Sequence, residues 1–181
     1  MENPDERVTA LIAATVCIAK LQLPLIDPQT QLFKRRCLDE LFNHQQCWVD
    51  RGGESATLML LEVLPNGGHT AAEIIVEAAF TLRSAFRGSD YLVRNSTDQF
   101  LVVLLDTDEL QAQIALNRLI DKVDRWNFTN KNWEMALRLV LSTCPPGGNL
   151  WEKLSKIEQR MQNISDSRGR TPAQLSWLAV L

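Results

Sequence analysis

Hydrophobic positions along the chain fall into two patterns, short continuous apolar runs and stretches with helical spacing. The run at 57–64 (TLMLLEVL) predicts a buried strand, because a strand covered on both faces shows no polar alternation. Apolar runs at 91–94 and 99–105 flank the four residues 95–98 and predict a hairpin. A further strand is predicted at 133–142.

The stretches between these runs have apolar residues at helical spacing. They predict helices at 8–21, 30–47, 70–87, 106–125 and 150–164, and the apolar tail at 175–181 is a candidate edge strand. Asp27 and Pro28 are interpreted as the cap and first residue of the second helix. The order α, α, β, α, β, β, α, β, α and a final β favours the α/β (α+β) class, with one mixed sheet covered by helices.

Composition and charge restrict the class of function. The chain has 181 residues, of which 45% are hydrophobic, and these include five Trp and six Phe. Such a chain has enough apolar side chains for one globular domain and is not intrinsically disordered. The formal net charge of −3 provides no basic excess for neutralising phosphates, so we expect no nucleic-acid partner.

The N-terminal stretch does not predict a membrane span. Residues 8–25 are the most apolar early segment, but Lys20, Gln22 and Pro24 interrupt it, and its longest run is well below the roughly 20 residues that cross a bilayer. The acidic start MENPDER is unlike a secretory signal. The four cysteines lack C-x-x-C spacing and only two histidines are present. We expect a cytoplasmic protein with reduced thiols, no metal and no cofactor.

Five segments, in order along the chain, resemble motifs of one known family. They are DPQTQLFKRR at 27–36, the strand end at Glu62, GHTAAE at 68–73, RGSDYLVRN at 87–95 and STDQF at 96–100. Their counterparts are D-x-L-T-G-L-x-N-R-R, a strand ending in a metal-binding Asp, G-H-x-x-G-D, R-x-x-D-x-V-A-R-Y and the signature GGDEF. The chain thus resembles the GGDEF domain, the diguanylate cyclase family.

The resemblance implies a domain organisation. It predicts an N-terminal helix and linker at 1–26, a degenerate GGDEF-like domain at 27–175 and an apolar tail at 176–181. The implied fold is the nucleotidyl-cyclase-like one, a central mixed sheet flanked by helices.

The signature positions depart from the family pattern, since Ser96, Thr97 and Gln99 replace two glycines and a carboxylate, and only Asp98 and Phe100 are kept. Paired glycines permit positive φ and a close approach of nucleotide to backbone, which a β-branched Thr disfavours. The loop after Glu62 is also shorter than in the family, where it carries a phosphate-contacting Lys and a guanine-contacting Asn. We therefore expect no cyclase activity, with Glu62 and Asp98 as vestigial metal candidates.

A second motif is better preserved. Arg87 and Asp90 form R-x-x-D five residues before the signature, and the resemblance implies an inhibitory-type site that binds cyclic di-GMP, with Arg118 on the next helix as a further contact. A guanidinium pairs bidentately with a guanine edge or a phosphate, and an Asp accepts from guanine N–H groups. The alternative is an ordinary helix ending, with Gly88 as its cap.

Two functions follow from these observations. The first is a catalytically inactive regulatory module that acts as a cyclic di-GMP receptor. The alternative is a scaffold that binds an unidentified protein and no nucleotide. Helix 8–21 has too much apolar surface for a free helix, so we expect it to pack on the domain or on a second copy of the chain as a homodimer. Trp126 and Trp133 bracket a polar loop that either caps the core or forms a partner surface. His69 is interpreted as a turn or helix-start residue.

Overall fold

The computed structural model describes residues 25–50, 54–66, 71–130, 134–168 and 177–180. Its elements, in chain order, are β1 Phe33–Lys34, a 3₁₀ turn Arg35–Cys37, α1 Leu38–Asp50, β2 Ala56–Asn66, α2 Ala71–Ala85, β3 Tyr91–Arg94, β4 Gln99–Leu104, α3 Glu109–Thr129, β5 Glu134–Cys144, α4 Leu150–Arg168 and β6 Trp177–Val180. The mixed α/β class expected from the sequence is confirmed.

The strands form one six-stranded sheet in the order β1-β3-β4-β2-β5-β6. The four inner strands, β3, β4, β2 and β5, are antiparallel to one another, whereas the outer strands β1 and β6 run parallel to β3 and β5. The expected hairpin at 95–98 joins β3 to β4. The apolar tail does add an edge strand, as the sequence suggested, over Trp177–Val180.

Both faces of the sheet are covered by helices. Met59, Leu61 and Val63 of β2 pack into a core with α2 and α3, while Leu58 and Leu60 pack into a second core with α1 and α4. All five side chains are almost fully buried. Because successive side chains of a pleated strand point to opposite faces, β2 contributes apolar side chains to both cores. This explains the continuous apolar run in the sequence.

The opening turn, residues 27–31, corrects the prediction of a helix from Thr30. The Asp27 carboxylate does not cap a helix; it accepts hydrogen bonds from the N–H and the hydroxyl of Thr30, at 2.9 and 2.8 Å. Gln31 then adopts a φ of 58°, which reverses the chain into β1. The Asp27 side chain thus stabilises a local turn instead of a helix. The residues of β1 then pair with β3, and α1 begins only at Leu38.

The observed start of α3 differs from the start predicted from the sequence. The helix begins at Glu109 rather than at Asp106, because Asp106 has a φ of 46° and Asp108 is the cap. The Asp108 carboxylate accepts from the Gln111 N–H at 2.8 Å, and the Gln111 side chain accepts from the Asp108 N–H at 3.0 Å. This reciprocal pair is a capping box, which satisfies two backbone donors at the helix start.

Several expectations lie outside the described residues, namely helix 8–21, His69 and Trp133. The division at 26 and 175 also stays a prediction. Trp126 packs against the core on the α2 and α3 side and donates its indole N–H to Glu77 at 3.2 Å, in agreement with a core-capping role. Within the described ranges no helix is both long and apolar enough to cross a membrane.

Candidate functional site

The hairpin at 95–98 is a tight turn without left-handed residues. The N–H groups of Asn95 and Ser96 both donate to the Gln99 carbonyl, at 2.9 and 3.2 Å. Ser96 and Thr97 do not adopt positive φ, so the turn forms without the conformational freedom of glycine. The Asp98 carbonyl accepts from the Val63 N–H at 2.8 Å, which fixes the hairpin against β2.

The pairing of β2 with β4 places two positions of the family motifs side by side. Glu62 and Gln99 are direct partners across β2 and β4. Glu62 binds the Arg138 guanidinium at 2.5 Å and accepts from the Ser165 hydroxyl at 3.1 Å. Arg138 itself is only 8% exposed and also donates to Ser165 at 2.8 Å. The carboxylate of Glu62 is thus neutralised from within the fold.

The carboxylates of Glu62 and Asp98 do not fit a divalent cation as they stand. Glu62 is held by a guanidinium, and Asp98 is exposed and accepts from the Ser96 hydroxyl at 3.1 Å. Among the described residues, no group of three or more His, Cys, Asp or Glu side chains is placed to hold a metal ion. The ion pair of Glu62 could have been anticipated from the position of Arg138 in the sequence. A cation inside the apolar strand MALRLVL requires a buried acidic partner.

The second motif lies at the other end of β3. After α2 ends, buried Phe86 anchors the chain, and the turn Arg87–Asp90 leads into β3. The Arg87 N–H donates to the Asp90 carboxylate at 2.8 Å, and the Asp90 N–H donates to the Arg87 carbonyl at 3.1 Å. The Arg87 side chain is exposed, and its guanidinium has no acceptor in the described part of the chain. The backbone of the turn is therefore ordered by its own hydrogen bonds, and the Arg87 guanidinium is left able to bind a ligand.

Arg118 lies on α3, which packs beside α2 on the same face of the sheet. Its side chain is partly buried, and its Nε atom is buried without a hydrogen-bond partner among the described residues. A buried donor without a partner costs free energy, so such a group is an unusual feature of a folded protein. The structure does not join Arg118 to Arg87 or Asp90 by a direct contact.

Arg94 was not singled out from the sequence, yet it has the most connections near the hairpin. Its guanidinium donates to the Asp27 carboxylate at 3.0 Å and to the Gln29 side chain at 2.7 Å. It also donates to the carbonyls of Ser96 and Thr97, at 3.3 and 3.1 Å. Arg94 therefore joins the opening turn to the hairpin.

Asp27 is the acidic partner in this connection. Its partial burial by itself would raise the pKa of the carboxyl, but the hydrogen bonds from Thr30 and the guanidinium of Arg94 outweigh that effect. The pKa of Asp27 therefore lies below its ordinary value.

Comparison with known proteins identifies the class. Residues 25–166 match the family described as "Diguanylate cyclase, GGDEF domain". The chain belongs to this family. A curated relative, diguanylate cyclase DosC of Escherichia coli K12, is 27% identical over an alignment of 165 positions that covers 86% of this chain and 36% of DosC. The chain thus spans about a third of the length of the curated relatives it matches.

Solved structures share the fold at lower identity. The FimX GGDEF domain from Pseudomonas aeruginosa has a TM-score of 0.67 at 17% identity, covering 86% of this chain and 99% of that one. The GGDEF domain of DgcB from Caulobacter crescentus, solved in complex with c-di-GMP, has a TM-score of 0.67 at 12% identity, covering 86% and 93%.

The family assignment corrects one expectation. The sequence was interpreted as not belonging to an enzyme, because of Ser96, Thr97 and Gln99 in the signature and the short loop after Glu62. That interpretation is wrong, since the matched family is an enzyme family and the curated relatives are named diguanylate cyclases. The argument relied on a few local positions, whereas the match extends over residues 25–166.

The buried ion pair yields a stability prediction. In R138M, Glu62 loses its counterion while still largely covered, so the free energy of unfolding is expected to fall by ~3–5 kcal/mol. The double variant E62M/R138M is expected to recover most of that loss, because no unpaired charge remains. Urea denaturation at pH 7 measures both. As a control, K156M breaks the exposed pair of Lys156 with Glu152 and is expected to leave the free energy of unfolding nearly unchanged, because solvent screens that pair. A loss for R138M as small as that for K156M contradicts the prediction.

The lowered pKa of Asp27 yields a pH dependence. A carboxyl with a depressed folded-state pKa contributes stability above its unfolded pKa, and this contribution is lost as the pH falls through the folded pKa. The wild type is therefore expected to exceed D27N in unfolding free energy at pH 7, and the difference is expected to shrink below about pH 4. Urea denaturation at a series of pH values measures the difference. D121N, at an exposed position of α3, is the control, and an equal pH trend in both variants speaks against a role for Asp27.

Proposed function

We propose that this GGDEF domain binds cyclic di-GMP through Arg87, Asp90 and Arg118 and acts as a regulatory module. The observation that carries the proposal is the free, exposed guanidinium of Arg87 in a turn already ordered by hydrogen bonds to Asp90. The DgcB structure solved with c-di-GMP, and a further GGDEF structure described as a novel interaction mode with the same dinucleotide, support the choice of ligand.

The chemistry of the turn suits this ligand. Cyclic di-GMP offers guanine O6 and N7 acceptors together with phosphate oxygens, and both match the planar fork of an arginine. The Asp90 Oδ2 atom is used by the Arg87 N–H, which leaves Oδ1 as an acceptor for guanine N–H donors. The turn therefore provides both a donor fork and an acceptor for one base.

Two features lower the cost of binding. The backbone of the turn is fixed before a ligand arrives, so little conformational entropy is lost there. The buried Nε of Arg118 has no partner among the described residues, so a ligand acceptor that reaches this atom would remove the penalty of an unsatisfied donor.

Calorimetric titration of the full chain with cyclic di-GMP tests the proposal. R87A and R118M are each expected to weaken binding by about tenfold or more, because a charge-assisted hydrogen bond is lost. The matched control is R125M, an exposed cation on the same helix as Arg118, which is expected to bind like the wild type.

Unchanged affinity in R87A refutes the assignment of the ligand to this turn. GTP with Mg²⁺ serves as the second ligand, and chromatography of the same samples measures its turnover, because the curated relatives are named diguanylate cyclases.

Absence of binding by either nucleotide favours the alternative, a scaffold that binds a protein. Its sequence basis is helix 8–21 and the loop between Trp126 and Trp133. Helix 8–21 and residues 131–133 lie outside the described residues, whereas residues 126–130 are described and Phe128 among them is exposed. One structural relative, SiaD of Pseudomonas aeruginosa, was solved in complex with its activator SiaC and has a TM-score of 0.62 at 18% identity. A protein partner and a homodimer of this chain stay predictions.

A further inference from the structure

The most exposed apolar side chains lie on one layer of the structure. Among the described residues, the large apolar side chains that are more than half exposed are Phe80, Leu110, Ile114 and Phe128. All of them belong to α2 or α3, which cover the same face of the sheet. Exposed apolar side chains that are grouped in this way mark a contact with a further segment or with a partner.

On α2 the exposed apolar residues form a stripe. Ala72, Val76 and Phe80 follow one another at intervals of four residues, so their side chains share one side of the helix. All three are exposed, whereas Ala78 and Leu82 on the opposite side are buried. We name these three exposed residues the α2 stripe.

The opening turn lies beside the α2 stripe and is hydrogen-bonded to α2 at two points. The Gln29 side-chain amide donates to the Ala72 carbonyl at 3.1 Å. Further along the helix, the Arg83 guanidinium donates to the Gln31 carbonyl. The chain therefore enters the described structure next to the stripe, at the end of α2 that carries Ala72.

The segment that precedes the opening turn needs apolar cover. The described chain begins at Leu25, and only residues 22–24 separate it from the predicted helix 8–21. Lys20 is the one charged residue between positions 8 and 21, so a helix there has apolar side chains on every side. Its length of about 21 Å matches the roughly 22 Å of α2.

We propose that residues 8–21 of this chain dock as a helix on the α2 stripe, antiparallel to α2. The three-residue connection spans about 10 Å when extended, which keeps the end of the segment close to Ala72. Its start then reaches the other end of α2, where the exposed cations Arg83 and Arg87 lie. The first residues of the chain are net acidic, so charge complementarity favours the same direction as the connection.

The short connection also favours this occupant over a second copy of the chain. A segment tethered by a short linker has an effective concentration on the order of millimolar at a neighbouring surface. A separate chain at micromolar concentration competes poorly with it. The α2 stripe is therefore assigned to residues 8–21 of the same molecule.

Hydrogen–deuterium exchange of the full chain, measured by mass spectrometry over residues 8–21, tests the proposal. These amides are expected to be protected in the wild type. F80S is expected to speed their exchange about tenfold, because the docked segment loses an aromatic contact. The matched control is L110S on α3, since Leu110 is 73% exposed and Phe80 70%, and it is expected to exchange like the wild type.

Three results overturn the proposal, namely exchange of residues 8–21 at the rate of an unstructured chain in the wild type, equal exchange in F80S and L110S, and protection that rises with protein concentration. The last result assigns the segment to a second copy. V76S is a second variant on the α2 stripe, and it is expected to speed the exchange a few-fold through the smaller apolar contact. Exchange in the peptides of β2 reports whether each variant is folded.

Discussion

The structure depends on one strand that is buried on both faces. β2 pairs with β5 over its whole length and with β4 along Thr57 to Glu62, so its backbone is paired on both edges along that stretch. Its side chains supply Met59 and Leu61 to one core and Leu58 and Leu60 to the other. Because a shift of one residue would exchange the two sets, the register of the central sheet is tightly specified.

The polar chemistry begins where this apolar strand reaches the hairpin. Glu62 is the first charged side chain of β2. Its carboxylate is largely buried, and it is stabilised there by the ion pair with Arg138 and the hydrogen bond from Ser165. The hairpin is fixed to the same point through the bond of Val63 to Asp98. On its outer side, Arg94 holds the two carbonyls at its tip. The signature segment is thus held by β2 and, through Arg94, by the opening turn, while Ser165 of α4 binds the neighbouring Glu62.

Sequence patterns predicted the regular elements well, because periodicity reports burial. The strand Tyr91–Arg94 and the hairpin after it were found at their observed positions, and the run at 57–64 lies inside β2. The prediction was wrong where a side chain competes with a helix cap. Asp27 followed by Pro28 has the composition of a helix start, but the carboxylate is captured by Thr30 in a turn.

The candidate site was only partly predictable. Arg87, Asp90 and Glu62 were identified from motif spacing, which is a local property of the chain. Arg94 and Arg138 were not, since their partners lie 67 and 76 residues away and are brought close only by the sheet. The family was predicted correctly from five motifs in order along the chain, whereas the expectation of no enzyme activity was wrong because it relied on substitutions in one hairpin and one short loop.

Both margins of the sheet are closed by short strands that run parallel to their neighbours. β1 has two residues and β6 has four, whereas β2 and β5 have eleven each. Long exposed edges invite strand addition by other chains, and brief outer strands are a common protection against it. Within the described residues, β6 covers Leu137 to Val140 of β5 and leaves only short stretches of unpaired edge. We therefore expect an assembly of such domains to form through helices, turns and loops rather than through a continuous intermolecular sheet.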